Sequence, residues 1–523
     1  MGVTLLRAGP SRLSPPGDAE PRPRAQARKA LGVLAALTAL AAALRLPTLD
    51  RQSLWSDEAV TVLLTRMDLS TMLSTVAETE STPPVYYVVA WVWTQAFGHG
   101  EVGLRSLSAL AGIATVPVAY CAGASLLARR AGLAAAGLVA VSPLLVWYSQ
   151  EARSYALAVL LCGLSFLACA RALERASPAR LAVWTVASVI AIGTHYFAGF
   201  VVAAEACWLI ASRRTPAVHR AAAVVAVGAA ALLPLALVQR GNAVYVGDVT
   251  SLAERVAVVA KHLLAGYELP ADRLVAAVVA LVLLASVVLV GVRASRSQQR
   301  GVFLAATVGL SAVVVPVVLA SMGLDYFNSR NALVGLVPLA IAASAGLAVA
   351  APPRLGSVVL VGVAGVLLTS TLAVAADRSY HRPDWRGLAH ELDDGAGARV
   401  VVVAPDHLGW FGRVPLQIYL PGARAVDARL APAPPQFRGI SRRPEDNSTP
   451  DELAVREVVV AAVGWDDPVL PRPLPRELEL VEERTAAGYR FRRYRSERAV
   501  EIPTAALAAP SSAVLIQNIA LRP

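Results

Sequence analysis

The chain has 523 residues, of which 56% are hydrophobic and only 16% are charged. A soluble chain carries roughly 25% charged residues, so this composition fits a bilayer better than water. The formal charge of +11 does not point to nucleic acid: the arginines form short clusters between apolar runs, and lysine occurs only at Lys29 and Lys261.

Residues 1–29 are rich in Pro, Arg and Gly and read as a disordered cytoplasmic N-terminus. The apolar run 30–47 has no small-residue cleavage site and reads as a retained signal-anchor helix. A crossing needs about 20 apolar residues. Runs at 106–127, 220–238, 272–292, 302–322, 331–350 and 355–376 meet that length. Two longer stretches, 132–172 and 181–211, are interrupted at 148–155 and 194–199. Arg129, Arg130, Arg171 and Arg175 flank the first, and Arg180, Arg213 and Arg214 the second. Positive residues stay on the cytoplasmic side, so each stretch reads as a hairpin with its tip outside. Residues 85–97 are apolar but too few to span, and their Tyr and Trp suit the interface. They are expected to lie on the outer surface within an external loop, 48–105.

The sum is an all-α polytopic membrane protein of about 11 transmembrane helices, N-in and C-out, with its membrane domain at 30–376. Beyond it, Arg399–Ala404, Val455–Val463 and Tyr489–Tyr494 read as strands. They predict a small α/β extracytoplasmic C-terminal domain at 377–498, led by Arg382-Pro-Asp-Trp-Arg-Gly387 and followed by a tail at 499–523. Cys121, Cys162, Cys169 and Cys207 all lie in apolar runs and read as buried small residues, without metal or disulfide spacing.

This topology gathers the ionisable residues on one face. Asp57, Glu58, Glu80, Glu101 and Arg105 fall on the first external loop or its end. Glu151 and Arg153 fall on one hairpin tip, and His195 and Tyr196 on the other. Lys261, His262 and Tyr267 fall on a later loop, and Asp325 and Arg330 on the next. Charge at headgroup depth is costly unless paired or functional. Such a face suits a ligand with a lipid tail and a polar head. Each residue also has a plainer reading: Ser56-Asp57-Glu58 is how an ordinary helix begins, and Tyr86 with its aromatic neighbours suits interfacial packing.

Leu54-Trp-Ser-Asp-Glu-Ala59, Thr82-Pro-Pro-Val-Tyr-Tyr87, Leu104-Arg-Ser106 and Ser149-Gln-Glu-Ala-Arg-Ser-Tyr155 resemble the GT-C superfamily of membrane glycosyltransferases. Thr194-His-Tyr196 and Asn328-Ser-Arg-Asn331 resemble patterns of its bacterial members. The nearest branch looks like the bacterial relatives of protein O-mannosyltransferases and of the lipid A aminoarabinose transferase. The likeness covers roughly residues 30–350 and is most specific over 50–155.

The resemblance implies a hexosyl- or pentosyltransferase of the plasma membrane, active on its extracytoplasmic face. It would move a sugar, with inversion, from a polyprenyl-phosphate donor to a hydroxyl on a lipid, glycan or protein acceptor. Asp57 matches the family's acid and is the candidate base, supported by Glu58. Arg105 matches the arginine on the lipid phosphate, with Arg153 and Arg330 as candidate helpers. Glu80, Tyr86, Glu151, His195 and Tyr196 are candidate acceptor or sugar contacts. The pattern fixes no cofactor and leaves room for a divalent metal. Thr82 stands where relatives often carry His or Lys, which puts one phosphate contact in doubt. A lipid-linked glycan transporter or flippase, or a non-catalytic membrane scaffold, are the competing functions. Transporters place ionisable groups near the midplane in paired repeats, and no repeat is visible here.

Overall fold

The protein is described here by a computed structural model covering residues 23–242, 250–267, 271–393, 399–403, 409–420, 422–425, 452–463, 470, 472–486, 488–507 and 513–517. Most of the expected disordered N-terminus, and the Pro- and Arg-rich loop after β2, lie outside the described residues.

Helix α1 (Pro23–Arg45) is followed by three shorter helices, α2 (Ser56–Thr65), α3 (Leu69–Thr79) and α4 (Val85–Phe97). Thus residues 85–97, too short to span, do form a helix. The membrane helices resume with α5 (Glu101–Leu126), α6 (Arg129–Val141), α7 (Pro143–Ser149), α8 (Tyr155–Glu174), α9 (Pro178–Thr194) and α10 (Ala198–Ser212). Next come α11 (Pro216–Ala231) and α12 (Leu233–Gln239), then the amphipathic α13 (Leu252–Ala265). The series ends with α14 (Asp272–Arg293), α15 (Arg296–Ser321), the broken helix α16–α17 (Ser329–Ala332 and Leu336–Ala345) and α18 (Pro353–Ala376). Among the described residues, eight helices are long and apolar enough to cross a membrane, and the bent pair α6–α7 makes a ninth. The two crossings expected within 181–211 correspond to α9 and α10, apolar helices of 17 and 15 residues that are shorter than those spans.

Local chemistry explains the breaks. Ser177 and Thr215 cap α9 and α11, each with Pro at the first turn, where a missing N–H costs nothing. Pro143 does the same for α7, but here it also ends α6 with a 59° bend. That bend releases the carbonyls of Val139 and Ala140. Arg45, at the end of α1 and fully buried, donates to both, at 3.2 and 2.8 Å, and to Ser149 Oγ at 3.1 Å. A Cβ on Gly112 would stand 2.0 Å from Ser149 Oγ and 3.1 Å from Arg45 Nε, so only glycine admits this crossing.

Alternate helix ends meet on one face. Gln150 donates to the Leu44 carbonyl at 3.2 Å, Asn242 to the Glu78 carbonyl at 2.7 Å, and Arg51 to the Ala375 carbonyl at 2.7 Å. On the other face Arg213 donates to the Glu174 carbonyl at 2.9 Å, among the arginine clusters.

After α18 come α19 (Trp385–Leu392), β1 (Arg399–Val403), α20 (Gly409–Tyr419), β2 (Arg424–Ala425), β3 (Glu452–Val463), β4 (Glu479–Ala486), β5 (Tyr489–Pro503), α21 (Thr504–Leu507) and β6 (Ala513–Gln517). The six strands form one sheet in the order β2-β6-β1-β3-β5-β4, with β1 and β3 parallel. Side chains alternate across a strand. Val401 and Val403 therefore pack with Trp385, Leu388 and Leu416 on one face, and Val400 and Val402 with Ile502 and Ile516 on the other. The stretch expected to be a tail instead supplies β6, paired with both β1 and β2. Both its faces are covered, so its four apolar residues, Ala513 to Ile516, lack the polar alternation that marks a half-exposed strand.

Candidate functional site

The site is built from segments that leave the membrane helices on the shared face. Glu58, in the first turn of α2, is completely buried. Its carboxylate accepts from Arg105 Nε at 2.7 Å and Nη2 at 2.5 Å, from the Ala152 N–H at 2.8 Å, and from Arg382 Nη1 at 3.3 Å. Burial alone would raise its pKa, but Arg105 and Arg382 outweigh burial and hold it below the ordinary glutamate range. The rest of the Arg105 guanidinium donates to the carbonyls of Leu49 and Gln52, both at 2.7 Å, and of Ser53 at 2.9 Å. All five N–H donors of Arg105 are therefore matched within the protein. Arg105, expected at a lipid phosphate, is turned in this structure to Glu58 and to backbone carbonyls. The arginine entering an apolar helix does have an anionic partner, but that partner is Glu58. For the same reason Glu58 braces the loop and has no open approach to a substrate.

A second buried pair lies beside the first. Arg153 Nη2 stands 2.9 Å from Glu80 Oε2, which also accepts from Tyr87 Oη at 2.5 Å. Arg153 additionally donates to the Asp57 carbonyl at 3.4 Å. Tyr86 is fully buried, edge-on to Tyr87 with ring centroids 5.4 Å apart. Tyr196 donates to Gln239 at 2.7 Å, and Gln239 holds the carbonyls of Val76 and Thr82. Glu80, Arg153 and Tyr196 thus bond to other side chains of the protein, while the buried Tyr86 hydroxyl has no partner among the described residues. His195 is 3% exposed, and its Nδ1 accepts from the Phe197 N–H at 3.3 Å. Burial, with Arg330 and Arg153 nearby, pushes its pKa down to about 3, so the ring is neutral.

Asp57 and Arg330 differ from these. Their side chains are 20% and 34% exposed, and they approach only to 3.4 Å. Arg330, at the start of α16, lines a cavity of about 540 Å³. Around it stand Trp55, Trp147, Tyr148, Glu151, His262 and Tyr267, with Arg255 and Arg382 completing the polar wall. Arg255 is tied to Asp325, with Nη1–Oδ1 at 2.8 Å. Burial and the neighbouring Lys261 lower the His262 pKa to about 4, although Asp272 opposes the shift. A second cavity of about 400 Å³ shares Trp147 and Tyr267 as its wall and runs toward Thr371 and His381.

Trp55, Trp147, Tyr267 and Arg382 were not candidates from the sequence. Trp55 sat inside a recognised motif, overshadowed by the two acids beside it. Arg382 opened a Pro-punctuated stretch that read as the lead-in to a separate domain, yet its backbone N–H donates to Gln52 at 3.0 Å and its side chain reaches Glu58 and Glu151. The region after α18 is joined to this face at further points. Tyr419 accepts from the Leu54 N–H and donates to Glu101, both at 2.7 Å, and Arg386 pairs with Glu101 at 3.0 Å. Among the described residues no group of three or more His, Cys, Asp or Glu side chains is placed to hold a metal ion.

Comparison with known proteins agrees with this architecture. Residues 81–238 match the family model described as dolichyl-phosphate-mannose-protein mannosyltransferase. The structure is similar to that of ArnT from Cupriavidus metallidurans bound to undecaprenyl phosphate, with 13% identity, 90% of this chain and 98% of that chain covered, and a TM-score of 0.51. It also matches the Archaeoglobus fulgidus oligosaccharyltransferase tethered with an acceptor peptide, at 11% identity and a TM-score of 0.46, over 74% of this chain and 59% of that one. No curated protein sequence matches the chain. Its apolar helices and its likeness in fold to ArnT together describe a multi-pass membrane protein, of which residues 81–238 match that mannosyltransferase family model.

Proposed function

We propose that the protein transfers a sugar from a polyprenyl-phosphate donor to an acceptor hydroxyl, with Asp57 as general base and Arg330 on the donor phosphate. The observation that carries this reading is the Asp57–Arg330 pair, the longest and most exposed of the ion pairs around the cavity. A loose, partly solvated pair is the one an incoming anion can reorganise at least cost, whereas breaking a buried pair strands a charge.

In the proposed reaction the acceptor oxygen attacks the anomeric carbon and gives its proton to the Asp57 carboxylate. The bond from that carbon to the phosphate oxygen breaks, and its electron pair leaves with the polyprenyl phosphate. Arg330 faces the charge that gathers on the leaving phosphate. The configuration at carbon inverts because attack and departure occur on opposite sides. The arginine clusters at the opposite helix ends support a cytoplasmic side there and an active site on the extracytoplasmic face of the plasma membrane. The alanine-, valine- and arginine-rich, lysine-poor composition fits a GC-rich bacterial genome, hence decaprenyl or undecaprenyl carriers.

The test is transfer of labelled sugar from a panel of polyprenyl-phosphate sugars in membranes, at matched expression. Asp57→Asn is expected to lower transfer by about 10²–10⁴-fold while polyprenyl-phosphate binding persists. Undiminished transfer would remove Asp57 from the role. No transfer by the wild type from any donor would favour the transporter or scaffold reading.

A further inference from the structure

Among the described residues, one charged side chain of the cavity wall comes from beyond α18. Arg382 lies three residues before the start of α19, in the stretch that joins α18 to α19 and the sheet. Its guanidinium carbon lies 5.2 Å from the Trp55 ring and 4.7 Å from the Trp147 ring. Its Nη1 is 3.3 Å from Glu58 Oε2, and its Nη2 bonds Glu151 Oε2. With about a tenth of its side chain exposed, it is committed to these neighbours.

Glu151 is the neighbour whose other bonds are incomplete. It sits in the break between α7 and α8, lines the cavity and is 2% exposed. Its Oε1 has no hydrogen-bond partner among the described residues. Trp55 Nε1, on the same wall, is likewise buried without a partner among them. A buried carboxylate oxygen left unmatched is costly, and so is an unmatched N–H. One acceptor and one donor on the same wall are together the complement of a hydroxyl group. We propose that Arg382 is a positioning residue of the site, keeping the buried Glu151 carboxyl ionised so that its free oxygen accepts a substrate hydroxyl. This inference rests on the glycosyltransferase reading and adds to it the region beyond the last membrane helix.

The electrostatics of the wall support the assignment. Burial pushes the Glu151 pKa up to about 7; Arg382 and, less strongly, Arg153 oppose that rise, whereas Glu58 and Asp57 add to it. From the other elements Tyr148 on α7, Tyr155 on α8, Tyr267 after α13 and Arg330 on α16 face the same region. Arg382 is the cation in direct contact. Removing it leaves burial and two like charges opposed only by the weaker effect of Arg153, so Glu151 would take up a proton more readily and its carboxyl would no longer be a full acceptor.

Infrared difference spectroscopy of the full-length protein in detergent tests this directly. The Glu151 carboxyl band is the one missing from Glu151→Gln, and its titration gives the midpoint. The wild type is expected to titrate near 7. Arg382→Gln is expected to move the midpoint upward by about 1–3 pH units, and Arg382→Lys by less, because an ammonium keeps the charge but not the two-sided contact. An unchanged midpoint in whichever variant folds overturns the inference. Sugar transfer by the same preparations separates the two ideas. An unchanged midpoint with transfer intact removes the role of Arg382 and leaves the reading. Absence of transfer by the wild type removes the reading, whatever the titration gives.

Discussion

Asp57 and Glu58 are neighbours in sequence and opposites in structure. Glu58 has no exposed surface and five hydrogen bonds, four of them to three other segments, whereas the Asp57 side chain has one long contact and is a fifth exposed. The difference follows from helix geometry. Successive residues at the start of α2 point about 100° apart, so one meets Arg105 on α5 and the other Arg330 on α16. The two arginines repeat the contrast: Arg105 is saturated and Arg330 is half-open. A site of this kind needs both parts, a closed brace that fixes geometry and an open pair that a substrate can rearrange.

Several substitutions would break or sharpen that contrast. The largest effect is expected from Asp57→Asn, which should cost about 10²–10⁴-fold in transfer with little change in thermal stability. Arg105→Leu should do the reverse through folding. Stranding Glu58 in a buried site costs about 3–5 kcal/mol, read as a lowered melting temperature in detergent and reduced yield. Arg45→Leu should follow, at about 1–3 kcal/mol for each carbonyl left unmatched at the α6–α7 bend, measured in the same melts. Arg330→Lys should weaken polyprenyl-phosphate binding by roughly tenfold, with stability within about 0.5 kcal/mol.

The smallest effects are in pH, and they have opposite signs. The pKa of Glu58 is depressed on folding, so its contribution is present above the ordinary value of 4.5 and is lost as pH falls below it. The pKa of Glu151 is raised, so its contribution is present below 4.5 and is lost as pH rises toward 7. Melting curves should therefore lose the acid limb in Glu58→Gln and flatten between pH 4.5 and 7 in Glu151→Gln. Curves unchanged in both variants would show that the brace and the wall do not differ as described.

Much of this architecture could be read from the residues. Apolar runs of membrane-spanning length and arginine clusters at alternate ends are strong, local signals, and they located the helices and the shared face. The α4 segment was legible from its 13 residues and its aromatics. What could not be read was which charge meets which. Arg105, Arg153 and Arg330 all look alike at helix ends, because burial depends on partners 47, 73 and 273 residues away. Arg382 was hidden for the same reason: its partners Glu58 and Glu151 are 324 and 231 residues distant. Strand β6 was missed because a short strand covered on both faces shows itself only beside its neighbours.

That strand sets the order of events in making the site. Arg399 on β1 is bonded to Gln517 on β6, 118 residues later, and β6 occupies the middle of the sheet and not an edge. The sheet cannot close until residues 513–517 have been synthesised and have reached the same side as β1, long after the membrane helices are in place. Closing so long a loop is slow compared with pairing neighbours. The segment carrying Arg382 is anchored to that sheet through α19. Glu151 therefore meets its cation late, and the cavity gains its final wall only when the region after α18 has folded.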